Sequence, residues 1–74
     1  MEQVHEQTKV RRIRLERLKR HWRLEDLAHF ARVSAADISR IETGRMIPYP
    51  THAKRLAEVL GIEPEELTTV VDTE

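Results

Sequence analysis

The chain has no cysteine, only two glycines (Gly44 and Gly61), and three aromatic residues, Trp22, Phe30 and Tyr49. Without cysteine, disulfides and thiolate-held metals are excluded, and a cytoplasmic setting is the natural expectation. Two isolated glycines leave no glycine-rich loop to cradle a nucleotide phosphate. With so few aromatics the core must be aliphatic, which suits packed helices. No apolar run approaches the roughly 18–20 residues that span a bilayer. The opening stretch, "MEQVHEQTKV", lacks the apolar segment of a secretory signal, so no membrane association is expected. His5, His21, His29 and His52 are scattered and form no HExxH or similar spacing. No catalytic residue, metal ligand or cofactor emerges, and the chain does not read as an enzyme.

What is present is charge, unevenly placed. At 74 residues the chain is one small domain, and its 13 basic and 13 acidic residues cancel. Residues 1–47 carry 11 Lys/Arg against 7 Asp/Glu, whereas residues 48–74 carry 2 against 6. Between Lys9 and Arg23 stand 8 basic residues and a single acid, Glu16. Such a run is either one positive face or the solvated side of a helix, and charge alone does not separate the two.

Helical spacing and its punctuation divide the chain into five segments. The first helix is expected from about Thr8 to Arg20. Either Ile13 with Arg17, or Leu15 with Leu18 and Trp22, faces inward. The second starts near Leu24, with Glu25 and Asp26 suiting the positive end of the helix dipole and Leu27, Ala28 and Ala31 making its inner face. The third, 34–43, opens with Ser34 as N-cap and Asp37 as a short capping-box acid, buries Ile38 and Ile41, and ends at Gly44. After the loop "RMIPYP", a fourth runs from Thr51 to Leu60 and closes at Gly61. A fifth begins at Pro64 and is anchored by Leu67. The expected organisation is a flexible segment 1–8, a domain 9–67 and a tail 68–74.

Only Arg32-Val33-Ser34 joins the second helix to the third, and small Ala28 lies where they would cross. That is the layout of a helix-turn-helix, whose second helix projects and fits a major groove about 12 Å wide. The stretch "LEDLAHFARVSAADISRIETGRMIP" resembles the helix-turn-helix of the Xre family, the lambda-repressor-like DNA-binding domains. Leu27-Ala28, Val33-Ser34, Ile38-Ser39, Ile41-Glu42, Gly44 and Pro48 carry the likeness. "AKRLAEVLGIEPEEL" resembles that family's fourth helix and the start of its fifth, and Ile13-Arg14, Arg17 and Trp22 fall where its first-helix elements stand. The resemblance implies an all-α, lambda-repressor-like bundle of five short helices around a central helix-turn-helix.

It also implies roles. Arg17 matches the first-helix arginine that pairs with the glutamate of the "IE.G" element, here Glu42. The base-reading positions map onto Ala35, Ala36, Asp37, Ser39 and Arg40. Alanine cannot hydrogen-bond a base, but it can touch a thymine methyl and lets the helix approach the groove floor. Discrimination then falls mainly on Arg40, which suits guanine O6 and N7. Phosphate contacts map onto Arg23, Ser34, Thr43, Arg45 and Tyr49. The expected function is a sequence-specific double-stranded DNA-binding regulator, a repressor, acting as a homodimer through the fifth helix and the Thr68–Val71 tail. The sequence departs from the family pattern at Arg23-Leu24, where Ser or Thr followed by Gln is common, and at Arg32, where glycine is frequent. A left-handed Arg32 would cost about 1 kcal/mol. Leu24, Phe30, Ala35 and Ala36 also suit an alternative, a protein-interaction module of antitoxin-like or adaptor type. A regulatory protein partner is compatible with either reading.

Overall fold

Residues 9–73 are described by a computed structural model. The chain runs through strand β1 (Lys9–Arg11), helices α1 (Arg12–Lys19), α2 (Leu24–Ala31), α3 (Ala35–Glu42) and α4 (Pro50–Leu60), a 3₁₀ turn over Pro64–Glu66, and strand β2 (Val70–Asp72). The flexible segment expected at 1–8 lies outside the described residues.

The core is aliphatic. Ile13 of α1, Leu27 and Ala31 of α2, Ile38 and Ile41 of α3, and Leu56 and Leu60 of α4 meet around Val33 and Leu67. Each fully buried Leu or Ile contributes roughly 1.5–3 kcal/mol of transfer free energy. Helix α1 turns Ile13 and Arg17 inward, while Leu15 is half-buried and Leu18 exposed. Arg17 settles that rotation because it has a buried carboxylate to meet.

Two expected elements are different. The fifth helix is only the 3₁₀ turn over Pro64–Glu66. Glu66 Oε1 accepts the Glu63 N–H at 3.3 Å, and Leu67 then leaves the turn to fill the core with no exposed surface. The first helix starts at Arg12, because the three residues before it are extended and pair antiparallel with β2, Lys9 opposite Asp72, Val10 opposite Val71 and Arg11 opposite Val70. So the fold is mostly helical, with four helices rather than five and a short ribbon among the described residues. The tail expected to pair with a second copy pairs within its own chain.

That pairing solves a problem α1 cannot solve locally. The first N–H groups of a helix have no intrahelical acceptor, and Arg11 at the N-cap position makes no side-chain cap. Instead Arg12 N–H donates to Thr69 O at 2.8 Å and Ile13 N–H to Leu67 O at 2.9 Å. Lys9 Nζ closes the ribbon on Asp72 Oδ1 at 2.9 Å.

Scarce glycine has a consequence at the helix ends. Among the described residues, four adopt the left-handed conformation, but only Gly44 and Gly61 are glycine; the others are His21 (φ 59°) and Arg32 (φ 58°). Past α1, Trp22 N–H returns to Arg17 O at 3.2 Å around His21, and past α3, Arg45 N–H returns to Arg40 O at 2.8 Å around Gly44. Both are Schellman-type endings. Arg32, anticipated as a glycine-like position, ends α2 with its N–H on Ala28 O at 2.8 Å.

Glu16, buried on α1, gathers three cations. Arg12 Nε lies 2.7 Å from Oε2, Lys19 Nζ 3.5 Å from Oε2, and Arg20 Nη1 2.9 Å from Oε1. Burial by itself pushes this carboxyl up, but the hydrogen bonds from Arg12 and Arg20 and the charges of Lys19 and Arg12 outweigh it, lowering it from 4.5 to about 2. A carboxyl lowered on folding contributes stability that is present above its unfolded value and lost as pH falls through the folded one. Between pH 4.5 and 2 the wild type is therefore expected to lose on the order of 1–2 kcal/mol through this group, discounted for solvent screening by its partly exposed partners. Thermal melts across that window check it: Glu16→Gln should show a shallower acid decline, and identical declines would refute the assignment.

Candidate nucleic-acid interface

The site is built on α2, its turn and α3. In α2, Arg23 stands at the N-cap, and Asp26 Oδ2 accepts its backbone N–H at 2.8 Å. Arginine has no acceptor to return, so only half of a reciprocal capping box forms. Val33 is buried in the turn and anchors it to the core. Ser34 then caps α3, its Oγ accepting the Asp37 N–H at 3.1 Å. The Asp37 carboxylate does not complete that box. It accepts from Arg40 Nη1 at 3.0 Å, one helical step along.

Helix α3 is sharply divided. Ile38, Ile41 and Glu42 are buried, Ala35, Asp37 and Ser39 half-buried, and Ala36 and Arg40 exposed. Ala36, Arg40 and Thr43 follow i, i+4, i+7 spacing and make one solvent-facing stripe, continued past the helix end by Thr43. The methyl side chains at its start leave the helix N-terminus open to close approach. Arg40 is held by an exposed i,i+3 ion pair, worth about 0.3 kcal/mol, so it can leave Asp37 for a better partner.

Helix α3 is pinned from behind. Arg17 Nε donates to Glu42 Oε2 at 2.7 Å and Arg17 Nη2 to Oε1 at 2.9 Å, while Nη1 donates to Trp22 O at 2.8 Å. The two side chains are 8 % and 2 % exposed. The hydrogen bond to Glu42 pushes the Arg17 guanidinium up against the opposing effect of burial. One fork therefore ties α1 to the C-terminal end of α3 and to the loop before α2.

The candidate phosphate-contacting residues are exposed at Arg23, Ser34, Thr43, Arg45 and Tyr49. Tyr49 is also the N-cap of α4 and meets His52 edge-on, with centroids 5.5 Å apart. The Thr43 hydroxyl is turned back onto the carbonyls of Ser39 and Arg40 at 3.1 and 3.2 Å, so donating to an external oxygen requires it to rotate. Near the C-terminal end of α2, Phe30 is 52 % exposed and meets Trp22 at a tilt, with centroids 4.8 Å apart, whereas Leu24 is partly buried against the core.

The basic run from Lys9 to Arg23 is neither of the two things charge alone suggested. Arg12, Lys19 and Arg20 surround Glu16, Arg17 is spent on Glu42, and Lys9 is paired with Asp72. The Glu16 cluster escaped the sequence reading, although Arg12, Lys19 and Arg20 stand at i−4, i+3 and i+4 from it, the spacing at which helical side chains meet. Also missed was a groove of about 430 Å³ whose lining includes Lys9, Arg11, Arg14 and Thr43. Among the described residues no helix is long and apolar enough to cross a membrane, and no group of three or more His, Asp or Glu is placed to hold a metal ion.

A family model described as Helix-turn-helix, of the Xre and lambda-repressor-like type, matches residues 13–67, well over half of the chain. No curated protein and no solved structure matches it.

Proposed function

This chain belongs to the helix-turn-helix family, and from that premise we propose that it is a sequence-specific double-stranded DNA-binding regulator, a repressor, that inserts α3 into the major groove. The observation that carries this reading is the exposed Ala36–Arg40–Thr43 stripe on a helix held from behind by the Arg17–Glu42 fork. Short side chains at the start of α3 let its backbone come close to the floor of a major groove about 12 Å wide. Ala35 and Ala36 are that short and can contact thymine methyl groups. Arg40 reads guanine, Ser39 supports it, and Asp37 holds Arg40 until the base is met. Arg23, Ser34, Arg45, Tyr49 and, once rotated, Thr43 grip the backbone and set affinity rather than sequence.

One module contacts few bases, so the protein acts as a homodimer on two half-sites about one helical turn apart. The ribbon supports this. Val70 of β2 is 53 % exposed, and pairing two copies along β2 sets Val71 against Val71 at a two-fold axis, whereas pairing along β1 would set Lys9 against Arg11. The exposed Phe30 on Trp22 favours a second reading, an interaction surface for a regulatory protein, and the two uses are compatible because these rings are not part of the α3 stripe.

The test is a fluorescence-anisotropy titration of random genomic duplexes at low and moderate salt, followed by sequencing of the retained fragments. The expected result is binding that weakens steeply with salt, about 0.9 log units per log unit of salt for each phosphate contacted, and enrichment of a two-fold-symmetric sequence. No binding at low salt would overturn the DNA reading and favour Phe30 and Trp22 as the working surface.

A further inference from the structure

We propose that the groove between β1, α1 and the C-terminal end of α3 is a second seat for the DNA backbone, in which Arg11 and Arg14 each neutralise a phosphate flanking the bases that α3 reads. The proposal rests on the DNA reading above and adds a site that lies outside the stripe and its rim.

Position is the first argument. Thr43, at the end of α3's exposed stripe, forms one wall, and Arg11 and Arg14 come from β1 and α1 opposite. A helix about 10–12 Å across, seated in a groove about 12 Å wide, has a phosphate strand passing each of its sides and ends. Whatever stands beside the end of α3 therefore stands beside phosphates.

Charge is the second. The groove holds Lys9, Arg11 and Arg14 and one carboxylate, Glu42. That carboxylate already receives both prongs of Arg17, and Lys9 is engaged by Asp72. Arg14 Nη1 stays 3.6 Å from Glu42 Oε1, close enough to feel the charge but too far for a directed hydrogen bond, and its side chain is 45 % exposed. Arg11 and Arg14 are thus the surplus cations of the groove.

Preorganisation is the third. Arg11 Nη1 donates to Thr68 O at 2.8 Å. Its Nη2 lies 2.5 Å from where a Cβ on Gly44 would stand, so the guanidinium packs directly over the glycine and a larger residue there would push it aside. Gly44 thereby serves twice, as the left-handed ending of α3 and as the floor under Arg11. An arginine held this way gives up less freedom on meeting a phosphate than one free in solvent. The ribbon that carries Arg11 is closed by β2, which makes the C-terminal strand part of the DNA-binding apparatus.

The experiment compares the full chain with Arg14→Gln, Arg11→Gln and the double variant. Each is titrated with a selected duplex and a scrambled one over a series of salt concentrations. With one copy on each half-site, each single change should lower the salt slope by about 1.8 and the double by about twice that, with the same severalfold loss on both duplexes. The ratio between the duplexes should not move. A wild-type slope kept by the variants would overturn the proposal and leave the DNA reading standing, and so would a changed ratio, which would make these residues base readers. A wild type that shows no salt-dependent binding would remove the DNA reading and the proposal together. Thermal melting reports whether the variants fold. If Arg11→Gln does not, because Thr68 O loses its donor, Arg14→Gln alone decides, since it gives up no hydrogen bond.

Discussion

Glu42→Ala should lower the melting temperature of this protein by more than 10 °C. The carboxylate is buried and accepts two hydrogen bonds from Arg17 at 2.7 and 2.9 Å. Arginine cannot shed its charge to escape burial. Removing Glu42 leaves a buried cation whose remaining hydrogen bond among the described residues is to the Trp22 carbonyl, with the Glu25 charge acting on it without a hydrogen bond. Breaking a buried pair from one side typically costs about 3–5 kcal/mol. A domain of this size has a total stability of roughly 4–11 kcal/mol, and each kcal/mol lost shifts melting by about 4–8 °C. The companion variant Arg17→Met with Glu42→Leu should lose less than either single change, because no charge is stranded. Melting curves followed by circular dichroism check both. A Glu42→Ala protein melting within 3 °C of wild type would mean that solvent reaches Arg17 and that the fork does not hold α3.

The second large effect concerns recognition. Arg40→Ala should leave the fold unchanged and remove most of the selection between a preferred duplex and a scrambled one. Arg40 is exposed, and its only partner among the described residues is Asp37, in a weak surface pair. Its loss therefore costs little stability. On DNA the fork matches guanine O6 and N7, a pairing worth about 1–3 kcal/mol of discrimination. Two half-sites double that, so the preference should fall by about 1.5 to 4 orders of magnitude. The ratio between the duplexes should move in Arg40→Ala and stay fixed in the Arg11 and Arg14 variants, which separates this residue from them. Competition binding with the two duplexes measures it. A selection profile unchanged in Arg40→Ala would assign base reading to the flank of α3, to Ser39 and the alanines.

Much of this architecture is legible in one dimension because its causes are local. The bounds of α2, α3 and α4 follow from spacing and punctuation. Ser34 stands three residues before the N–H it caps, and Gly44 and Gly61 supply the left-handed endings that α3 and α4 need. The inward face of α3 follows from Ile38 and Ile41 at i,i+3. Arg17 and Glu42 are 25 residues apart, and only the likeness to a known family connects them in the sequence; the structure brings them together.

Other features have no local cause. His21 adopts a positive φ that glycine usually supplies, and nothing beside it in the sequence marks it. The rotation of α1 stays open until Glu42 arrives to claim Arg17. The start of α1 stays open until Leu67 and Thr69 bring carbonyls to its unsatisfied N–H groups, and the same arrival turns an expected helical start and a spare tail into the two strands of a ribbon. The basic run reads as one feature in sequence, yet folding divides it among Glu16, Glu42, Asp72 and an open groove. Composition and spacing determined that this would be a small helical module with a helix-turn-helix layout, since side chains three and four residues apart meet however the rest of the chain packs. Tertiary structure alone decided which arginines are spent and which face outward, because a charge is neutralised by whatever the fold places within about 4 Å of it, and that distance is not written along the chain.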